Sequence, residues 1–209
     1  MFILLADDHA VVRRGLREIL AGSFPNAHFG ESATANAVIS EVSERIWSVL
    51  VLDINMPGRS GMDVLREVKR LRPLLPVVML SVQPEEQYAV RCLRAGASGY
   101  LNKESAPEEL VNAVRRALAG GRYVSTKLAE KLAFDLDRPD SHDPHEQLSD
   151  RELEVVRMIA VGRSLTDIAR ELNLSAKTVS TYRSRTLLKM QMGSNAELTR
   201  YALEHKLIE

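Results

Sequence analysis

The chain has 209 residues, enough for one large or two small domains, and its 45% hydrophobic and 27% charged residues describe a packed globular protein, not a disordered one. Formal net charge is +0, so no global basic field attracts nucleic acid and any such attraction must be local. Cys92 is the single cysteine, which excludes an internal disulfide and a thiolate metal cluster and fits a reducing compartment. The apolar run at 2–6 is too short and too acidic at its end for a signal peptide, and no run approaches the roughly 20 residues of a membrane span. A cytoplasmic protein without membrane association is expected.

Residues 1–120 alternate between two kinds of segment. Apolar runs at 2–6, 27–30, 49–52, 77–80 and 98–101 read as strands. Amphipathic stretches near 10–21, 34–46, 61–71, 84–95 and 106–119 read as helices between them. Short apolar strands separated by helices predict an α/β doubly wound, flavodoxin-like sheet of five parallel strands, with its switch point beside the first strand. Pro73 and Pro76 bracket the approach to the fourth strand, and Gly96 is placed to cap the helix before the fifth.

From Gly120-Gly121 the pattern changes. Leu128, Leu132 and Leu136 recur every four positions and leave room for a short helix over 125–136. Residues 137–145 are polar, with Pro139 and Pro144, and read as a solvated linker. His142 and His145 are three apart there, too few ligands for a structural metal site. The remainder is helical. Ser149 and Glu152 spell a capping box, followed by the apolar face Leu153, Val156, Ile159 and Ala160. A second helix, 165–172, turns Ile168, Ala169 and Leu172 inward; Asn173-Leu174-Ser175 is a tight turn, and Ser175 caps a third helix running to about 190. Gly193-Ser194 opens a fourth over 195–204.

Chemistry concentrates at strand ends, where open α/β sheets carry their sites. Asp7 and Asp8 follow the first run, Asp53 the third, Ser81 the fourth and Lys103 the fifth. Three carboxylates at one sheet edge need a cation, and oxygen ligands of this kind suit Mg²⁺. With a lysine and a hydroxyl they make a phosphoryl-accepting site: the metal and lysine bind phosphoryl oxygens while one carboxylate attacks. Taken singly, each Asp reads more simply as the cap of a helix or turn; it is the five residues together, each at a strand end, that point to the site.

Asp7-Asp8, Asp53 with Met56-Pro57-Gly58, Ser81 and Lys103 resemble the receiver domain of two-component response regulators. The resemblance implies that Asp53 is phosphorylated by a partner sensor histidine kinase. It implies that Asp8, Asp53 and the backbone carbonyl of Asn55 ligand Mg²⁺ directly, with Asp7 acting through water. Lys103 would bind the phosphoryl group, and Ser81 and Tyr100 would form a switch pair, the hydroxyl meeting the phosphoryl group and the ring moving inward. Tyr100 also reads as simple packing, and His9 as structural. Haloacid-dehalogenase-like phosphatases also use an Asp nucleophile with Mg²⁺, but carry a second Asp two residues on; here that position is Asn55, which cannot shuttle a proton.

Residues 175–190 hold four basic residues, Lys177, Arg183, Arg185 and Lys189, and no acidic one. That is a local positive patch of the kind phosphate contact requires. Val179, Tyr182 and the Leu187-Leu188 region form a packed face, and Lys177, Ser180, Thr181 and Ser184 fall on the other side, where recognition helices meet the major groove. A solvated basic helix with a packed back would look the same by composition. Leu148-Ser149-Asp150-Arg151-Glu152-Leu153-Glu154-Val155, Asp167 to Leu172 and Leu174 to Tyr182 resemble the LuxR-type helix-turn-helix. Receiver plus this module is the layout of the NarL/FixJ class of response regulators. The resemblance implies base contacts from Ser180, Thr181 and Ser184 and phosphate contacts from Lys177, Thr178, Arg183 and Arg185. It implies a homodimer on phosphorylation or on promoter DNA, with the last helix (Leu198, Tyr201, Ala202, Leu203) as dimer surface or as closure of the domain's own core.

The expected organisation is a phosphoacceptor receiver over 1–120, a linker over 121–147 and a DNA-binding four-helix domain over 148–209. The expected function is a phosphorylation-regulated transcriptional regulator that binds double-stranded promoter DNA and is not an enzyme beyond its own phosphorylation and dephosphorylation. An Mg²⁺-dependent phosphatase with an accessory helical domain and a purely protein-binding module are the rivals.

Overall fold

The computed structural model describes residues 1–56, 59–83, 85–130 and 144–208, with the backbone alone at Glu86, Gln87, Glu146 and Asp150. It separates into two compact units, Met1–Asp137 and Arg138–Glu209.

The first unit follows the predicted alternation: β1 (Phe2–Ala6), α1 (Ala10–Ser23), β2 (His28–Ser32), α2 (Ala35–Glu44), β3 (Val49–Asp53), α3 (Gly61–Leu71), β4 (Val77–Ser81), α4 (Glu85–Arg94), β5 (Gly99–Asn102) and α5 (Ala106–Leu118). All pairs are parallel, in the order β2-β1-β3-β4-β5. β3 and β4 are buried along their whole length, which is why their sequences run apolar without alternation. β2 lies at the sheet edge, and there the sequence signal was weakest. The strand reaches Ser32, two residues past the apolar run, because an edge strand with half-exposed residues tolerates Glu31. One face of the sheet packs Ile3, Leu5, Val49, Val51, Val78 and Leu80 against α1 and α5. Gly96 takes φ +98° two residues past α4, where its N–H and that of Ala97 bond back to Leu93 and Cys92, as expected of a helix stop. Residues 126–130 are helical; Leu132 and Leu136 lie outside the described residues, so the predicted helix over 125–136 is described only at its start.

The second unit contains a 3₁₀ turn at Pro144–Gln147 and then α6 (Asp150–Ala160), α7 (Leu165–Glu171), α8 (Ala176–Lys189) and α9 (Asn195–Glu204). Each α-helix begins on a serine whose hydroxyl accepts a backbone N–H, and at α6 the full capping box of Ser149 and Glu152 is present. Val155, Ile159, Ile168, Ala169 and Val179 form the core, with Leu165, Leu172, Leu174 and Tyr182 packed on it. Asn173, at φ +53°, makes the turn between α7 and α8. The polar run over 137–145 predicts a solvated linker, but His145 is half-buried, with Nδ1 2.9 Å from the Tyr201 hydroxyl, while the Tyr201 and His205 rings stack at 3.8 Å. His142 and the polar residues up to 143 lie outside the described residues.

Candidate functional site

Parallel register carries the C-terminal ends of β1, β3, β4 and β5 to one edge. Ala6 pairs with Leu52, Asp53 with Leu80 and Ser81 with Asn102, so Asp7 and Asp53 emerge side by side, with Ser81 and Lys103 on the flank. Asp7 and Asp53 are buried, and the Lys103 ammonium lies 2.7 Å from Asp7 Oδ2 and 3.0 Å from Asp53 Oδ2. Lys103 is itself held by its backbone N–H donating to Ser81 O. One cation serves two buried carboxylates, and the balance shows in their chemistry. Burial pushes the Asp53 carboxyl above its ordinary value; Lys103 offsets part of this and Asp7 adds to it. Burial works against the Lys103 cation, but its bonds to Asp7 and the charge of Asp53 outweigh that, and its pKa is raised.

Asp8 lies nearer the surface with Oδ1 2.7 Å from His9 Nδ1, and His9 donates its backbone N–H to Asp7 Oδ1. Ligand atoms of Asp7, Asp8 and His9 fall within 4.8 Å of one another, a group able to hold a metal ion. Asp7 Oδ2, Asp8 Oδ1 and Asp53 Oδ2 are shielded from solvent and meet cationic or imidazole neighbours without a well-aligned hydrogen bond, an arrangement that leaves acceptor capacity for a cation. Asn55 donates its backbone N–H to Asp53 Oδ1 at 3.2 Å. Pro57 and Gly58 of the motif lie outside the described residues.

Ser81 is fully buried and its hydroxyl accepts the Gln83 N–H at 3.0 Å. Tyr100 is buried with its hydroxyl donating to Gln83 O at 2.7 Å, and burial pushes that phenol well above its ordinary value. The two expected switch residues therefore meet at one backbone unit, Gln83, which the sequence did not single out.

Two further residues escaped the sequence reading. A Cβ on Gly61 would fall against the Asp53 carbonyl and 2.6 Å from Ile54 Cα, so only glycine lets α3 start here. Gly61 N–H also donates to Ile54 O at 2.7 Å. The available signal was a glycine directly after the cap Ser60. Arg13 Nη1 donates to Asp7 O at 2.7 Å, and nothing in its spacing announced this.

In the second unit, Lys177, Ser180, Thr181, Ser184 and Arg185 share the exposed side of α8. Thr178 is half-buried and its hydroxyl meets Ser175 Oγ at 2.8 Å. Arg183 turns toward the start of α9, where its Nε donates to Asn195 Oδ1. Lys189 pairs with Glu152 at 2.6 Å and so is committed to the fold. The packed face keeps Val179 and Tyr182 as expected and departs from expectation at Leu188. Val179 and Thr186 are fully buried and Met190 nearly so, whereas Leu188 is 80% exposed. Positions 179, 186 and 190 follow the helical period from Val179; Leu188 falls on the opposite side. Leu198, Tyr201 and Ala202 are buried within the unit, so they close its own core, while Leu203, at 54% exposure, is a large apolar side chain that α9 leaves open.

Comparison with known proteins fits this layout. Residues 3–115 match the response regulator receiver domain and residues 146–202 the bacterial regulatory proteins of the luxR family. The chain is a response regulator. It is of the NarL/FixJ class, with a LuxR-type DNA-binding domain, and regulates transcription. It is 34% identical to response regulator UvrY of Escherichia coli K12 over 98% of this chain and 94% of the relative. It is 35% identical to response regulator GacA of Pseudomonas aeruginosa over 99% of this chain and 97% of the relative. Among solved structures it resembles RcsB of Salmonella enterica serovar Typhimurium bound to promoter rprA with the phosphomimetic BeF₃⁻, at 28% identity and TM-score 0.65, covering 96% and 97% of the two chains. A structure of an RcsB–DNA complex is similar at 26% identity and TM-score 0.59, covering 97% and 98%. Among the described residues of this response regulator no helix is long and apolar enough to cross a membrane.

Proposed function

We propose that Asp53 accepts a phosphoryl group from a sensor histidine kinase and that this controls binding of promoter DNA by α8 in a homodimer. The observation that carries the reading is the pair of contacts from Lys103 to Asp7 and Asp53, which leaves Asp53 buried and short of compensating charge at the sheet edge. An Asp53 oxygen attacks phosphorus, the bond from phosphorus to the kinase imidazole breaks, and the imidazole takes up a proton as it leaves. Lys103, already between the two carboxylates, neutralises a phosphoryl oxygen. The acidic set fits Mg²⁺: Asp8, Asp53 and the Asn55 carbonyl would hold it directly and Asp7 through water. Bound there, the ion supplies positive charge to the phosphoryl oxygens. Ser81 and Tyr100 then act as the switch pair.

On the DNA side, Ser180, Thr181 and Ser184 face the bases and Lys177, Thr178, Arg183 and Arg185 the phosphates. RcsB, which this chain resembles, is seen as dimers on DNA, and two-fold pairing on half-sites is the expected mode here. The protein works in the cytoplasm as a phosphoacceptor and transcription factor and turns over no other substrate.

Asp53→Asn abolishes phosphoryl uptake from a small phosphodonor with Mg²⁺, read by intact mass; retained uptake in that variant overturns the assignment. For DNA, Lys177→Ala or Arg185→Ala weakens duplex binding by about 1 kcal/mol and lowers the slope of log affinity against log salt by about one. An unchanged slope removes these residues from the phosphate contacts.

A further inference from the structure

The segment that leaves α5 is fastened to the receiver at two points. Tyr123 donates its backbone N–H to Ser98 O at 2.7 Å and pairs in parallel with Gly99, extending the sheet beyond β5 by one residue. The approach is close at Gly99: a Cβ there would lie 3.1 Å from Tyr123 Cβ and 3.3 Å from its carbonyl oxygen, so the segment would have to give by a few tenths of an ångström. Two residues on, Ser125 donates its hydroxyl to Glu85 Oε2 at 2.5 Å and its N–H to Oε1 at 3.4 Å. The same hydroxyl accepts the Leu128 N–H at 3.1 Å and so caps the helical turn over 126–130, whose Leu128 is buried. Glu85 thus binds, from the first residue of α4, the group that starts the next helix.

Glu85 also stands two residues from Gln83. Gln83 is clamped from three sides: its N–H by Ser81 Oγ, and its carbonyl by Tyr100 Oη at 2.7 Å and Asn102 Nδ2 at 3.4 Å. Burial and the Glu109 carboxylate push the Tyr123 phenol up to about 12, and Glu85 contributes to the shifts of both Tyr123 and Tyr100.

We propose that residues 122–126 are a strap whose hold on the receiver is set by Ser81: when its hydroxyl turns to a phosphoryl group on Asp53, Gln83 loses its acceptor, Glu85 moves with the loop, and Ser125 is released. The proposal rests on the phosphoacceptor reading of Asp53. Release uncaps the turn at 126–130 and frees the start of the segment leading to the DNA-binding unit. Glu85 and Ser125 are positioning residues, remote from the transferred group.

The test is hydrogen exchange of the full chain with acetyl phosphate and Mg²⁺, with phosphoryl incorporation measured on the same samples by intact mass. Incorporation should speed exchange of amides over 122–130 about tenfold, the ratio lost with one charge-assisted hydrogen bond, and leave β3 amides unchanged. Glu85→Ala and Ser125→Ala should show that acceleration without phosphodonor and gain nothing more from it; Ser125→Thr, which keeps the hydroxyl, should behave as the parent. Incorporation with unchanged exchange overturns the strap and leaves the Asp53 reading standing. No incorporation overturns both. Unchanged exchange in both alanine variants overturns the strap independently of phosphorylation.

Discussion

Asp53 and Glu152 are both buried carboxylates within 3.0 Å of a lysine ammonium, one in each unit, and they are held in opposite ways. Asp53 shares Lys103 with Asp7 and gains one backbone N–H at 3.2 Å; burial dominates and its carboxyl rises above the ordinary value. Burial also opposes the Glu152 anion. There the Lys189 ammonium and the N–H of Ser149 at 2.7 Å outweigh burial, and the carboxyl falls below the ordinary value. A carboxylate with its own cation and cap is part of the fold. One that is left short of charge is poised to take a cation or an electrophile. Proximity to a lysine does not separate the two; the count of compensating donors does.

The sharpest way to test the Asp53 side is through its backbone. Gly61 seats α3 against the Asp53 carbonyl, and neighbouring backbone cannot move aside as a flexible side chain could. Gly61→Ala is expected to destabilise the receiver by about 3 kcal/mol in urea unfolding, at the upper end of overpacking costs, and to lower phosphoryl uptake in the fraction that folds. A loss under about 1 kcal/mol would show that α3 can shift and that the position of Asp53 is not fixed from behind.

The comparison can also be broken by pH. A raised carboxyl binds more protons folded than unfolded between its ordinary value of 3.8 and its native value, so its stability contribution falls as pH rises through that window. A depressed one contributes stability that is present above 4.5 and lost as pH falls through its native value. In chelator, Asp53→Asn should therefore be more stable than the parent at neutral pH by about 1 kcal/mol, the advantage vanishing in acid. Glu152→Gln should be less stable than its parent by a similar or smaller amount, that deficit also vanishing in acid. Deficits of the same sign in both variants would dissolve the distinction.

How much of this could be read from the chain differed by kind of constraint. β1, β3 and β4, buried on both faces, announced themselves as apolar runs, and the strand-end positions of Asp7, Asp53 and Ser81 followed from them, with Lys103 following from the run at β5. Serines 149 and 175 were legible as caps because capping depends on one side chain and its own backbone. Arg13, Gln83 and Gly61 were not legible. Their roles lie in contacts between a backbone atom and a group that only the folded chain brings to it, which no periodic pattern records. The Glu85–Ser125 contact, side chain to side chain across 40 residues, is hidden for the same reason.

The smallest effect separates pattern from packing on α8. The sequence puts the Leu187-Leu188 region on the packed face with Val179 and Tyr182. The structure buries Thr186 and Met190 instead and leaves Leu188 80% exposed, on the side that carries Ser180, Thr181 and Ser184. Burial, not residue type, sets the stability cost of truncation. Leu188→Ala should then change unfolding free energy by less than about 0.5 kcal/mol, as for other exposed positions, whereas a core leucine would cost about 2 kcal/mol or more. A loss of the larger size would return Leu188 to the core and turn α8 about its axis, taking Ser180, Thr181 and Ser184 away from the groove they are proposed to face.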